Sequence, residues 1–318
     1  MRKDRMQEKN TTNLNTIQSY HEGDWNGNYA YQGFGVNKYF TSDRFIKLDE
    51  NFRRPDGKPL QGFGLEIETE CTGVRNQTVL AQVFSKIIFD MFPADLFKMQ
   101  RDGSLQGDSS AECITQVMTR EFIRNNYANF KAMYNTYFPA FGISCTANCG
   151  MHVNISNAVF GNKTESQEEA IKKLLYFVNK NYSLACKLFH RDTSRTYYCR
   201  QMAQYTTKEA CKAANLSHMP SDHGVAFNMG HFTEGRIELR IVGGQRNYGC
   251  FRNTMETVFH VIDACKRLSW KDMDDMTKVF DRCNRYVLDR LVTMCDAEID
   301  YDTLRAIRMN ANMEIKYI

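Results

Sequence analysis

Apolar and polar residues alternate without a break over residues 62–70, GFGLEIETE. Successive side chains of a strand point to opposite faces, so Phe63, Leu65, Ile67 and Thr69 share one side while Glu66, Glu68 and Glu70 share the other. The same period of two returns in residues 149–156 (CGMHVNIS), where Met151, Val153 and Ile155 oppose His152, Asn154 and Ser156. It returns again in residues 235–242 (GRIELRIV), where Ile237, Leu239 and Ile241 oppose Arg236, Glu238 and Arg240 before the Gly243-Gly244 pair ends the strand. Shorter strands are predicted at 47–52, before the turn-rich RRPDGKPLQG, at 97–101 and 111–117 around a turn at Asp102-Gly103-Ser104, and at 224–230. Helical spacing takes over at 78–92 (halted by Pro93), at 119–137, at 168–189 behind a capping-box-like TESQ starting at Thr164, and through most of the chain from Asn253. Residues 1–45 hold neither period and read as an N-terminal arm, leaving 46–318 as one body whose portion from about residue 250 is helical.

Composition narrows the class. A chain of 318 residues with 42% hydrophobic content can bury a sizeable core. Its 41 basic and 37 acidic residues are too balanced for a nucleic-acid or membrane footprint. No apolar run approaches the ~20 residues of a membrane span. The eleven cysteines are scattered, odd in number and preceded by no secretory signal, so reduced thiols in a cytoplasm are the expectation. The arm's aromatics, among them Tyr20, Trp25, Tyr31 and Phe40, suit packing on the body or on a partner subunit, which leaves a homo-oligomer open.

The polar faces carry the chemistry. Glu66 and Glu68 stand roughly 7 Å apart along their strand, and carboxylates held that close repel unless a cation joins them or water covers the face. Glu112 lies in the next strand, His152 and Asn154 in the third, Glu238 and Arg240 in the last. A sheet face with four glutamates, a histidine and an arginine suits hard divalent cations and phosphates. Cys145, Cys149 and His152 also raise zinc, as in a hydrolase, although no second ligand pair follows. Nothing resembles a phosphate-cradling P-loop.

The ordered segments GFGLEIETE, RDGSL with AECITQVM, CGMHVNIS, RTYYCR, VAFNMG and RIELRIVGG, spanning about residues 62–244, resemble the amidoligase family. That family belongs to the carboxylate-amine ligases related to glutamine synthetase and glutamate-cysteine ligase. The resemblance implies an α+β fold, a curved antiparallel sheet with helices on its outer face, like the catalytic fold of glutamine synthetase. It implies ATP- and Mg2+-dependent formation of an amide or isopeptide bond through an acyl phosphate, joining a carboxylate substrate to an amine, a peptide or protein included, with no nucleic-acid or membrane partner. Carried onto matching positions, Glu66, Glu68, Glu112 and Glu238 would be metal ligands, His152 a metal or phosphate contact, and Arg240 the phosphoryl-stabilising residue, with Glu66, Glu238 and Arg240 closest to the chemistry. Arg200, Asn154 and Asn228 would contact nucleotide or substrate. An amidoligase-like chain that has lost turnover and serves as a binding or assembly protein stays open as the alternative.

Overall fold

The computed structural model describes residues 38–41, 45–47, 53–71, 91–93, 96–100, 105, 110–194, 197–219, 222–295 and 297–311. Most of the predicted arm, the helix expected at 78–92 apart from its end, the Asp102-Gly103-Ser104 turn and the part of the 47–52 strand beyond Lys47 lie outside them. The fold is mixed α and β, with mostly antiparallel strand pairing. The chain divides into two compact units, one of residues up to Val153 with Gly244–Tyr248, the other of Asn154–Gly243 with Gly249 onward. Hydrophobic periodicity does not mark this division.

In the first unit the strands are β1 (Lys38–Phe40), β2 (Phe45–Lys47), β3 (Phe63–Cys71), β4 (Phe97–Gln100), β5 (Ser110–Thr115), β6 (Val117–Met118), β7 (Ile143–Ser144) and the start of β8 (Met151–Ser156). β3 is the hub. It pairs antiparallel with β5 along most of its length, with β6 at Phe63 and with β7 at Glu70 and Cys71. Gly150, just before β8, accepts the Glu68 N–H at 3.1 Å. β4 extends the sheet beyond β5, and β1 joins β6 in parallel. Gly57, at φ 70°, closes the turn ahead of β3, its N–H donating to Arg54 O at 2.8 Å.

Both faces of β3 are covered where the acidic residues stand. Leu65, Ile67 and Thr69 are fully buried, as the alternation predicts, but Glu68 on the other side is only 5% exposed. Removing Leu65 or Ile67 from water is worth about 1.5–3 kcal/mol each. Two helices add aromatic side chains to the core of this unit. α1 (Arg120–Asn125) brings Phe122 to 5.6 Å from Phe40, and α2 (Tyr127–Ala132) brings Phe130 to 4.9 Å from Phe92, between ring centroids.

The second unit holds the end of β8, the pair β9 (Phe227–Asn228) and β10 (Arg236–Leu239), and helices α3 (Thr164–Lys180), α4 (Tyr182–Leu188), α5 (Tyr248–Arg267), α6 (Arg285–Val292) and α7 (Tyr301–Asn310). Ile237 and Leu239 of β10 are buried as expected, and so is Ile241, although the strand stops at Leu239, short of the predicted 242. Ile171, Leu175 and Phe177 of α3 and Phe251, Met255 and Ile262 of α5 are buried as well.

The helices differ from the sequence expectation in two places. The span 119–137 breaks at Asn126 (φ −101°, ψ 14°), whose Nδ2 donates to Phe122 O at 2.9 Å, and then continues through α2 into a π-helical turn, Met133–Tyr137. The span 168–189 breaks at Asn181 (φ −110°, ψ 43°), whose Nδ2 likewise reaches Phe177 O at 3.2 Å. Asparagine competes for backbone carbonyls, which explains both breaks. The capping box does not form: Lys163 is the N-cap, and Ser166 and Gln167 bond backward to Lys163 O and Gly161 O. Among the described residues no helix is long and apolar enough to cross a membrane.

Candidate metal centre

The register of β3 against β5 sets Glu68 directly opposite Glu112. Both are buried, at 5% and 8% exposure, and so is His152, at 4%. Ligand atoms of the three lie within 4.8 Å of one another. His152 joins them because Gly150 leads its strand onto β3: the Gly150 N–H donates to Glu68 Oε2, while His152 Nε2 stands 3.5 Å from Glu68 Oε1. The other ring nitrogen, Nδ1, is 3.1 Å from Oε2 of Glu66, which is half-buried. The imidazole thus bridges two glutamates two residues apart, and its tautomer follows from which of them takes its proton.

Electrostatics gives this arrangement its meaning. Glu66, Glu68 and Glu112 thus bring three carboxylates to one histidine. Like charges directly opposite in a sheet destabilise it, and burial removes the water that would screen them. A divalent cation offsets that cost. Oxygen ligands at about 2.0–2.6 Å from a common ion lie no more than roughly 5 Å apart, the spacing found here. The donor set, carboxylates with one imidazole, fits a divalent ion of the magnesium or manganese kind.

The zinc alternative finds less support. Burial pushes the Cys149 thiol up to about 12 and raises Cys145 well above its ordinary value, which favours protonated sulfur over the thiolate zinc needs. His152 directs both ring nitrogens to glutamates, and the candidate metal clusters among the described residues contain no cysteine. All eleven cysteines are free.

The second unit gathers another polar group on β9 and β10. Asn228 and Glu238 face each other in register. Asn228 Nδ2 donates to Glu238 Oε2 at 2.8 Å, and Arg240 Nη1 donates to Glu238 Oε1 at 2.5 Å. This charge-assisted bond fixes the direction of the Arg240 guanidinium. The backbone beneath it is held as well: the buried Arg191 donates to the carbonyls of Arg240, Ile241 and Val242, at 3.0, 3.3 and 2.6 Å. Asn154, on β8, accepts from Arg236 Nη1. Arg200 stands apart from this group on an exposed position, paired with Asp222 at 3.2 Å and lying over the Tyr197 ring.

Of the nine residues singled out in the sequence, Glu66, Glu68, Glu112 and His152 thus converge in the first unit. Asn228, Glu238 and Arg240 converge in the second, and Asn154 is held there by Arg236. Sequence reasoning missed two contributors. The Gly150 amide that holds Glu68 is backbone and leaves no side-chain signal, and Arg191 lies in an aperiodic stretch after α4. No family model matches the chain, and no curated protein matches it.

Proposed function

We propose that the chain is an ATP- and Mg2+-dependent carboxylate-amine ligase of the amidoligase kind, built on a glutamine synthetase-like catalytic fold and forming an amide or isopeptide bond through an acyl phosphate. The observation that carries this reading is the buried Glu68–Glu112 opposition with His152, three ligand-bearing residues within 4.8 Å. Glu66, Glu68, Glu112 and His152 would hold Mg2+. The bound cation supplies charge neutralisation at ATP phosphates.

The chain's own residues do the rest. Arg240, aimed by Glu238, stabilises charge that develops on the transferred phosphoryl group. Asn228 keeps the Glu238 carboxylate from swinging, through the 2.8 Å bond that occupies its second oxygen. Asn154 and Arg200 bind nucleotide or substrate. The substrate carboxylate attacks the γ-phosphorus, ADP leaves, and the amine nitrogen then displaces phosphate from the acyl carbon, losing a proton. Because the γ-phosphoryl group is the one transferred, the products are ADP and inorganic phosphate. Phosphorus NMR of a reaction supplied with candidate carboxylates and amines tests this. ADP and phosphate rising in step with amide supports the reading, and AMP with pyrophosphate contradicts it.

A further inference from the structure

Away from both polar groups described above, aromatic rings and lysines gather on one surface of the second unit, where α3, the short helix Lys208–Ala213 and the residues following α5 meet. Trp270, half-buried, is its centre. The ammonium of the exposed Lys212 stands 5.3 Å from the centroid of its ring and that of the buried Lys173 5.9 Å, both within cation–π range. Tyr176 is the neighbouring ring, at 6.2 Å between centroids, with the Lys208 ammonium 6.0 Å from its own centroid.

Hydrogen bonds between the three segments hold the patch in shape. Lys173 Nζ donates to Leu268 O at 2.7 Å, Lys172 Nζ to Lys212 O at 3.1 Å, and Lys208 Nζ to Lys271 O at 3.5 Å. Lys173 and Lys208 are neutralised, by Glu169 at 2.7 Å and by Asp274 at 2.6 Å. Among the described residues Lys172, Lys212 and Lys271 have no carboxylate within ion-pair distance, and Asp272, next to Lys271 in sequence, is committed to Lys278 and Ser269. Glu209 is a further carboxylate near Tyr176. A partly exposed tryptophan with uncompensated charge at its rim has the make-up of an interface anchor.

We propose that this patch docks an acidic segment of a partner protein, which lays an apolar side chain on Trp270 and its carboxylates on Lys172, Lys212 and Lys271. The charge is complementary, and the lysine stems already tied to backbone carbonyls lose little freedom on binding. Glu169, Glu209 and Asp274 stand among the lysines, so a phosphate backbone or an anionic bilayer, whose negative charge is continuous, meets repulsion as well as attraction. An extended peptide segment, with side chains on alternate sides, can set acidic groups at the lysines and keep them off those carboxylates. Neither the metal centre nor ATP enters this interaction.

Fluorescence anisotropy of a fluorescein-labelled peptide of alternating glutamate and leucine, titrated with the full chain at low ionic strength, tests this. Lys212 and Lys271 are exposed, so reversing their charge leaves the core untouched. Wild type binds the peptide, and the double variant Lys212→Glu/Lys271→Glu binds it about tenfold more weakly. Lys163→Glu, an exposed change about 13 Å along α3 from Lys172, binds as wild type does. In a Trp25→Phe background Trp270 is the remaining tryptophan, and unlabelled peptide shifts its emission. No peptide binding by wild type, an affinity of the double variant within twofold of wild type, equal weakening by Lys163→Glu, or unchanged Trp270 emission at saturating peptide overturns the proposal. So does tighter binding of phosphatidylserine vesicles or of a single-stranded oligonucleotide than of the peptide, which would make the patch a surface for phosphates.

Discussion

Glu68 and Glu112 oppose each other across two strands and are both buried, so a cation bound between them would relieve their mutual repulsion. Replacing either with Gln keeps the shape and removes the repulsion. In excess EDTA, Glu68→Gln or Glu112→Gln is expected to raise the melting temperature by a few degrees, about 1 kcal/mol, and to lose most of the further rise that Mg2+ gives wild type. Calorimetric melting curves with and without Mg2+ check this; a variant less stable in EDTA with an intact Mg2+ response would remove that residue from the metal centre. At this scale the sequence was informative where side-chain alternation carries the signal. The faces of β3, β8 and β10 put Glu66, Glu68, His152, Glu238 and Arg240 on their polar sides before any contact was known. What alternation could not supply is register, because the pairing that sets Glu68 against Glu112 depends on how two segments distant in sequence align. The supports contributed by the Gly150 amide and Arg191 were equally illegible, being backbone and aperiodic.

Strands were legible as elements because burial on one face demands a strict period of two, whereas helix limits were set by single polar side chains. Asn126 and Asn181 each turn an amide toward a carbonyl four residues back and end a helix that apolar spacing alone would continue. Thr119 starts α1 by accepting the Phe122 N–H at 2.9 Å. Thr119→Ala is expected to cost about 1 kcal/mol, read as a lower denaturant midpoint at unchanged slope. The Gly243-Gly244 pair, which lies beyond the end of β10, has a reason beyond chain flexibility. A Cβ on Gly243 would stand 2.2 Å from His190 O, and one on Gly244 2.8 Å from Thr146 O, both backbone atoms that cannot step aside. Gly243→Ala is expected to cost about 1–3 kcal/mol, and because Gly243 follows the carbonyls that Arg191 holds, to loosen Arg240 as well. A melting temperature equal to wild type would contradict the close approach.

At the scale of the whole molecule, three buried thiols share a response to pH. Burial pushes Cys186, Cys211 and Cys283 each up to about 12, above the value near 9 they have when unfolded. Between those values the folded chain holds protons that the unfolded chain has released, so this stabilisation is complete below about pH 9 and is lost as pH rises toward 12. Denaturation midpoints should therefore fall steeply above pH 9, and Cys→Ser changes at these positions should flatten that fall; an unchanged slope in all three variants would contradict it. The division into two units escaped the sequence because hydrophobic periods report which face is buried and not which elements share a core. The central claim is that Glu66, Glu68, Glu112 and His152 form a divalent-metal centre, and Mn2+ titration followed by electron paramagnetic resonance tests it most directly. Tight Mn2+ binding by wild type, competed away by Mg2+ and abolished in a Glu68→Gln/Glu112→Gln double variant, is the result expected. A wild type that binds no Mn2+, or a double variant that binds it equally well, would contradict the account.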